Sequence, residues 1–525
     1  MTLPAWAALP QPGRVLLTGG APWRPAPGNR VVAEDASLHR EAGRLADELR
    51  AGGHLGPGAS AAVVVAGERD PAAPGDVVLR VGDPGPPGAG GGAEAYRVDV
   101  GGEDAGVVVT GRGPAGVHRG TRQVLHNLAA RGAVPAGTVS GAPAVAERVV
   151  HLDAARVPFE AAWIEDLLRE AAWSGLTAVQ LHLSEDQGFR VASVRHPEVV
   201  SPGALTHDEV RHLLAVADDL HLTVIPSLVA PGHLGHVLAA HPHLALRGAD
   251  GTPVRDPGGD PRSRALDVTD PDAVALVLDL VDEVATLFAA GRAPDHGTPW
   301  NIGADEFVDL ADLAAQPVLA AEAARRFGPG ATGFDVLVDV VHRIAERVRA
   351  HGFRPQVWND GMFRAERVAL EPDVRVAWWT GWSPRMAPLS AALDAGHDLL
   401  NAYDSLLYYV LGEHAGYRYP TAARLWETGW HPGVFADRRD EAGAHMQVLA
   451  PPYPAALRGT MLAIWGDVPD AQTPEQVAAG VRGPLRGMSE RAWNAGSRLD
   501  LSEMTALDHA VGRAPAAAPP TGTKG

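Results

Sequence analysis

From Arg148 onward, short apolar runs alternate with longer stretches whose apolar residues recur every three or four positions. Strands feeding amphipathic helices produce that alternation, and it predicts a parallel sheet whose strands are buried on both faces. The runs are RVVHLDAAR, AVQLHLSED, TVIPSLVAPGH, PWNIGADE, RPQVWNDG, VRVAWWTGW, DLLNAYDS and TMLAIWGD. Eight are what a (β/α)8 TIM barrel requires. The intervening helices are plausible in their own right: Ile164, Leu167, Leu168 and Ala171 fall on one face after Pro158, and Gly175 can end that helix.

The first 145 residues read differently. Four β-like runs (AAVVVAG, DVVLRVG, YRVDVGG, AGVVVTG) precede a helical stretch at 120–128 and a Gly/Pro/Ala-rich bridge, GAVPAGTVSGAP. These predict a small α+β accessory domain at 1–145, a catalytic barrel at 146–510, and a disordered Ala/Pro/Gly tail at 511–525. The glycine-rich stretch 82–92 leads into a strand, whereas a phosphate-cradling loop opens a helix, so it does not read as a nucleotide site.

Charge and composition narrow the chemistry. Of 525 residues, 45 are Lys or Arg and 63 Asp or Glu, a net charge of -18 with no basic block, which argues against nucleic acid as a partner. Cysteine is absent, excluding disulfides, a thiolate nucleophile and Cys-based metal sites. The N-terminal stretch lacks a basic region and is broken by Pro4, Pro10 and Pro12, so it does not read as a secretory signal. The longest apolar stretch, AVALVLDLVDEVATLFAAG, is interrupted by Asp279, Asp282 and Glu283. No membrane association is expected, and a cytoplasmic location follows by default.

Nearly every apolar run ends in a polar or aromatic cluster: Arg156; His182 with Asp186; His233; Asp305 with Glu306; Trp358 with Asn359 and Asp360; Trp378 and Trp379; Tyr403 with Asp404; Trp465 with Asp467. In a barrel these ends converge on one face, where active sites form. An Asp-Glu pair alone is ordinarily a surface feature, and a lone Trp is ordinarily core. Here the carboxylates follow a strand and a Gly-Ala pair, among aromatics on other strand ends. Paired carboxylates in an aromatic pocket suit the cleavage of a glycosidic bond.

The string NIGADE resembles the Asp-Glu signature of glycoside hydrolase family 20, the β-N-acetylhexosaminidases. In order along the chain, HLDAAR (151–156), HLSEDQGFR (182–190), APGH (230–233), LAIWGD (462–467) and SERAWN (489–494) are similar to that family's other motifs. VHRGTRQVLHNL (117–128) is similar to its accessory domain. The resemblance implies a retaining, substrate-assisted mechanism without a cofactor or metal, acting on β-linked N-acetylhexosamine glycans. Glu306 would be the general acid and then base, its pKa raised by burial beside a second carboxylate. Asp305 would orient the acetamido N–H. Arg156 and Asp467 would bind ring hydroxyls, and Trp358, Trp379 and Trp465 would wall the sugar. Tyr409, with Tyr408 an equal textual match, would donate to the acetamido oxygen. His182 and His233 would hold the carboxylates, with Asp186 nearby. A metal reading of His182, Asp186, His233 and His236 fits no ligand spacing.

Three positions depart from the family pattern. Ser227, Leu228 and Val229 stand where many members carry a Glu-x-Asp string, Glu185 stands for Asp, and Leu411 stands for an acid that Asp404 is near enough to replace. These leave a disaccharide-releasing, lacto-N-biosidase-like or modified-sugar enzyme, and a sugar-binding relative, as alternatives.

Overall fold

The computed structural model of the protein describes residues 3–54, 62–65, 72–85, 92–101, 106–254, 264–289, 297–308, 316–440 and 442–515. The N-terminal part carries a seven-stranded mixed sheet in the order Arg14–Leu17, Gly137–Gly141, Tyr96–Val100, Val107–Gly111, Val77–Val81, Arg30–Ala33, Ala62–Val65. The four runs of the sequence all form strands. The supposed bridge contains a fifth, Gly137–Gly141, which pairs antiparallel with both Arg14–Leu17 and Tyr96–Val100. Its alternating small residues concealed it, because pairing on both sides, not side-chain propensity, holds it in the sheet. The glycine-rich stretch 82–92 is described only at its ends, which flank Val77–Val81 and Tyr96–Val100.

The helix Pro114–Arg131 is buried around nearly its whole circumference, although its sequence is polar. One side faces the sheet, and Gly120 permits the approach: a Cβ there would lie 2.4 Å from Val109 Cγ1. The other side meets the barrel, where Arg119 donates to the carbonyl of Ala172. Arg119 also pairs with Glu94 at 2.7 Å and Arg122 pairs with Glu48, so each buried cation has a carboxylate partner.

Eight parallel strands close the barrel: Glu147–Asp153, Ala178–His182, Thr223–Ala230, Pro299–Gly303, Arg354–Trp358, Arg375–Trp378, Leu399–Asn401 and Leu457–Trp465. The last pairs with the first and with the seventh, leaving no edge. All eight coincide with the apolar runs. The helix Ala161–Trp173 buries Ile164, Leu167, Leu168 and Ala171, as their spacing predicts. One expected unit differs: residues 359–374, between the fifth and sixth strands, form turns and no helix.

The expected disordered tail begins too early. The helix Leu501–Val511 extends into it, Arg486 donates to the carbonyl of Gly512 at 2.6 Å, and the Ala514 amide donates to Glu170 at 3.2 Å. Residues 516–525 lie outside the described residues. Among the described residues no helix is long and apolar enough to cross a membrane.

Candidate active site

The C-terminal ends of the barrel strands surround a cavity of about 420 Å³. Arg156, Asp186, His233, Asp305, Glu306, Trp358, Trp379, Trp465 and Asp467 line it, as do Glu185, Arg264, Tyr408 and Tyr417. The fourth strand delivers the carboxylates through a tight turn. Gly303, Ala304 and Glu306 have φ of 82°, 65° and 41°. Such angles are costly for Ala and Glu, and backbone strain of this kind concentrates at functional sites. Gly303 is also required sterically, since a Cβ there would sit 2.8 Å from Val229 Cγ1.

Asp305 is mostly buried, and its Oδ1 has no hydrogen-bond partner among the described residues. Burial raises its pKa; His233 pulls it down, and Glu306 and Glu185 push it up. Glu306 behaves oppositely to expectation. Burial would raise it, but its Oε2 lies 3.4 Å from His233 Nε2 and 3.6 Å from Arg264 Nη2, and these cations hold it near 2. The carboxylate is 45% exposed to the cavity, so solvent softens that pull without changing its direction.

Arg264 Nη2 also lies 2.6 Å from Nε2 of His233. His233 Nδ1 lies 3.0 Å from Glu185 Oε1 and its Nε2 3.6 Å from Asp305 Oδ2. Burial opposes protonation and so does Arg264, yet Glu185 and Asp305 raise its pKa well above the ordinary histidine value. Glu185 also accepts from Arg156 at 2.7 Å, and burial is outweighed by Arg156 and His233, keeping it ionised. Asp360 sits behind the pair. It accepts the Glu306 amide at 2.9 Å and Trp379 Nε1–H at 3.1 Å, and burial followed by Asp305 pushes it to about 7.

The aromatic wall is continuous. Tyr408 stacks on Trp379 with centroids 5.9 Å apart and planes within 3°, and Trp465 lies 5.9 Å from Trp358 and 5.7 Å from Tyr408. The indole nitrogens of Trp358 and Trp465 are buried without a partner among the described residues. Arg156 lies over the Trp465 ring and is fixed by Asp153 at 2.8 Å.

The profile of the glycosyl hydrolase family 20 catalytic domain matches residues 147–495, and that of the family's domain 2 matches residues 7–141. The chain belongs to glycosyl hydrolase family 20. It is 27% identical over 408 residues to the lacto-N-biosidase of Bifidobacterium bifidum, covering 77% of this chain and 33% of that one. It thus spans about a third of that relative's length. The fold is that of the family 20 β-N-acetylhexosaminidase from Streptomyces coelicolor A3(2), at TM-score 0.72 and 22% identity over 98% of both chains. It is similarly close to the exo-β-N-acetylglucosaminidase of Vibrio harveyi, solved with N-acetylglucosamine, at TM-score 0.73 and 16% identity over 97% of this chain and 76% of that one.

Against this family 20 frame, one site assignment is corrected. Tyr409 does not reach the cavity: its hydroxyl donates to Gln472 Oε1 at 3.0 Å, and its ring stacks on Tyr419 at 4.4 Å. The strand Tyr408–Val410 runs parallel to the last barrel strand, so neighbours alternate in direction and Tyr408 and Val410 face inward. His182 is beneath the cavity, its Nδ1 3.1 Å from Ser227 Oγ and its Nε2 3.6 Å from Glu185 Oε1. His236 contacts Ser201 Oγ. Asp186 accepts the Gly235 amide at 2.8 Å. At the departures, Val229 packs on Gly303, Leu411 is buried, and Asp404 meets the cavity residue Tyr417, whose hydroxyl donates to Asp404 Oδ2 at 3.4 Å.

Sequence reasoning missed Arg264 as a site residue. It enters on the long connection after the third strand, where no periodicity or motif marks it. Glu185 was visible only as a departure, although its Oε1 contacts both Arg156 and His233.

Proposed function

We propose that this family 20 hydrolase is a retaining exo-β-N-acetylhexosaminidase that releases terminal β-GlcNAc or β-GalNAc. The observation that carries the reading is Asp305 Oδ1, a buried acceptor in an aromatic cavity, without a hydrogen-bond partner among the described residues. A buried acceptor of that kind is costly unless the substrate supplies a donor, and an acetamido N–H is such a donor. Held by Asp305, the acetamido carbonyl oxygen attacks its own anomeric carbon as the bond to the leaving oxygen breaks. The intermediate is an oxazolinium. Tyr408 donates to the acetamido oxygen, its hydroxyl kept protonated by burial and by nearby Tyr417 and Asp404.

Glu306 protonates the leaving oxygen, and the ion pair explains where that proton waits. In the free site the Glu306–His233 pair holds one proton, resident on His233; entry of the glycosidic oxygen favours its transfer to the carboxyl. After departure, Glu306 takes a proton from water, which opens the oxazolinium with retention. Arg156 and Asp467 bind ring hydroxyls, and Trp358, Trp379 and Trp465 pack on the sugar and the acetamido methyl.

A disaccharide-releasing reading is favoured by Trp382, which lines the cavity and is 47% exposed, where a second sugar could stack. Hydrolysis of 4-nitrophenyl β-GlcNAc, β-GalNAc and β-lacto-N-bioside by wild type, Asp305→Asn and Glu306→Gln separates the readings. Monosaccharide release lost ~100-fold or more in both variants supports the exo enzyme. Turnover of the disaccharide alone replaces it with the second reading.

A further inference from the structure

Away from the catalytic cavity, two His-Pro dipeptides bring imidazoles together on neighbouring loops. His196 lies on the connection after the second barrel strand and His241 on that after the third. Each precedes a proline and a short 3-10 turn, and their backbones nearly coincide, at φ -129°, ψ 60° and φ -126°, ψ 60°. Proline restricts the residue before it, so both rings are presented from stiffened backbone. Glu198 stands between them, its Oε1 3.2 Å from His196 Nδ1 and 3.0 Å from His241 Nε2.

We propose that His196 Nδ1, Glu198 Oε1 and His241 Nε2 hold a divalent cation of the zinc class, with water completing a tetrahedron. Zinc bonds of ~2.0–2.1 Å place tetrahedral ligands roughly 3.3 Å apart, close to the 3.2 and 3.0 Å that separate Glu198 Oε1 from the two imidazole nitrogens. The other ring nitrogen of His196 faces a carboxylate beyond hydrogen-bond distance: Nε2 lies 3.8 Å from Asp279 Oδ2 on the helix Pro271–Phe288. A carboxylate facing the distal nitrogen favours a proton there and leaves Nδ1 free to ligate. Glu198 is 42% exposed, so the fourth position is open to solvent. Arg195 contacts the other oxygen of Asp279 at 3.8 Å.

Two other carboxylate-histidine clusters lack this character. Glu41, His118 and His221 have Arg44 among them, 2.7 Å from Glu41 and 2.9 Å from His118 Nδ1. Glu185, Asp186 and His233 have Arg156 and Arg264 against them. A guanidinium already supplies the charge that a cation would bring.

The cation would act as a brace. The loop carrying His196 also carries Glu185, and that carrying His241 also carries His233, so it would fasten the two segments whose 3.0 Å contact sets the charge on His233. The site stands whatever the sugar substrate.

The test uses the full chain, stripped with chelator and titrated with Zn²⁺ by calorimetry and with Co²⁺ by visible absorption. His196→Ala, His241→Ala and Glu198→Gln are compared with Glu185→Gln and His118→Ala, all checked for folding by circular dichroism. One Zn²⁺ per chain in the micromolar range and a tetrahedral Co²⁺ spectrum are expected. Both histidine variants should lose 10-fold or more in affinity, Glu198→Gln should weaken binding, and the two control variants should bind as wild type. No binding by wild type, or binding undiminished in folded His196→Ala and His241→Ala, overturns the proposal.

Discussion

Nε2 of His233 lies 3.4 Å from Oε2 of Glu306; this contact and Arg264 hold the carboxyl low, while Glu185 and Asp305 push the pKa of the imidazole up. A carboxyl held near 2 cannot itself be the reservoir of a proton at neutral pH.

That pairing predicts a shifted alkaline limb. In wild type the proton persists until pH passes the raised pKa of His233. In His233→Asn it rests on Glu306 alone, whose ordinary value is 4.5, so the alkaline limb of kcat/KM moves to lower pH. Profiles on a 4-nitrophenyl β-N-acetylhexosaminide check this; an unmoved limb contradicts it.

Glu306 and Asp305 should differ in their dependence on the leaving group. Glu306→Gln is expected to lose ~10²–10⁴-fold on an unactivated disaccharide and far less on a dinitrophenyl glycoside, whose departure needs no proton. Asp305→Asn should lose comparably on both, because it acts on the acetamido group. Parallel kcat/KM measurements on the two substrates decide it.

The two adjacent tyrosines should separate cleanly. Tyr408→Phe removes a donor from the cavity and should cost ~10²-fold or more in kcat. Tyr409→Phe removes only the bond to Gln472, leaving kcat unchanged and costing about 1 kcal/mol in denaturant unfolding.

Asp360 makes stability pH-dependent. Its pKa is pushed from 3.8 to about 7, by burial and then by Asp305. Across that window the folded chain keeps a proton that the unfolded chain releases, so stability from this group is full below pH ~4 and falls as pH rises toward 7. Asp360→Asn should flatten the decline of stability with pH by up to about one proton, read from unfolding at a series of pH values.

The barrel was legible because buried parallel strands are near-continuous apolar runs, and all eight registered as such. The accessory sheet was less so: Gly137–Gly141 is held by its neighbours, not by an apolar pattern of its own, and Arg14–Leu17 is only four residues long. Strand ends led to most of the cavity's residues, since chain direction alone puts them on one face. The textual motif could not choose between Tyr408 and Tyr409, which required the register against Ala463 and Ile464. Charge was the least legible property. Glu306 was expected to have a raised pKa from its neighbour Asp305, but the dominant neighbours are His233 and Arg264, distant in sequence and joined only by folding.

The central claim, that the substrate's acetamido oxygen is the nucleophile, is tested most directly by fluorinating that group. For 4-nitrophenyl β-GlcNAc carrying acetyl, fluoroacetyl, difluoroacetyl and trifluoroacetyl on nitrogen, each fluorine weakens the carbonyl oxygen as a nucleophile. With the acetamido oxygen as nucleophile, kcat/KM falls steeply along the series. Rates that stay level would contradict it and assign the attack on the anomeric carbon to the protein or to water.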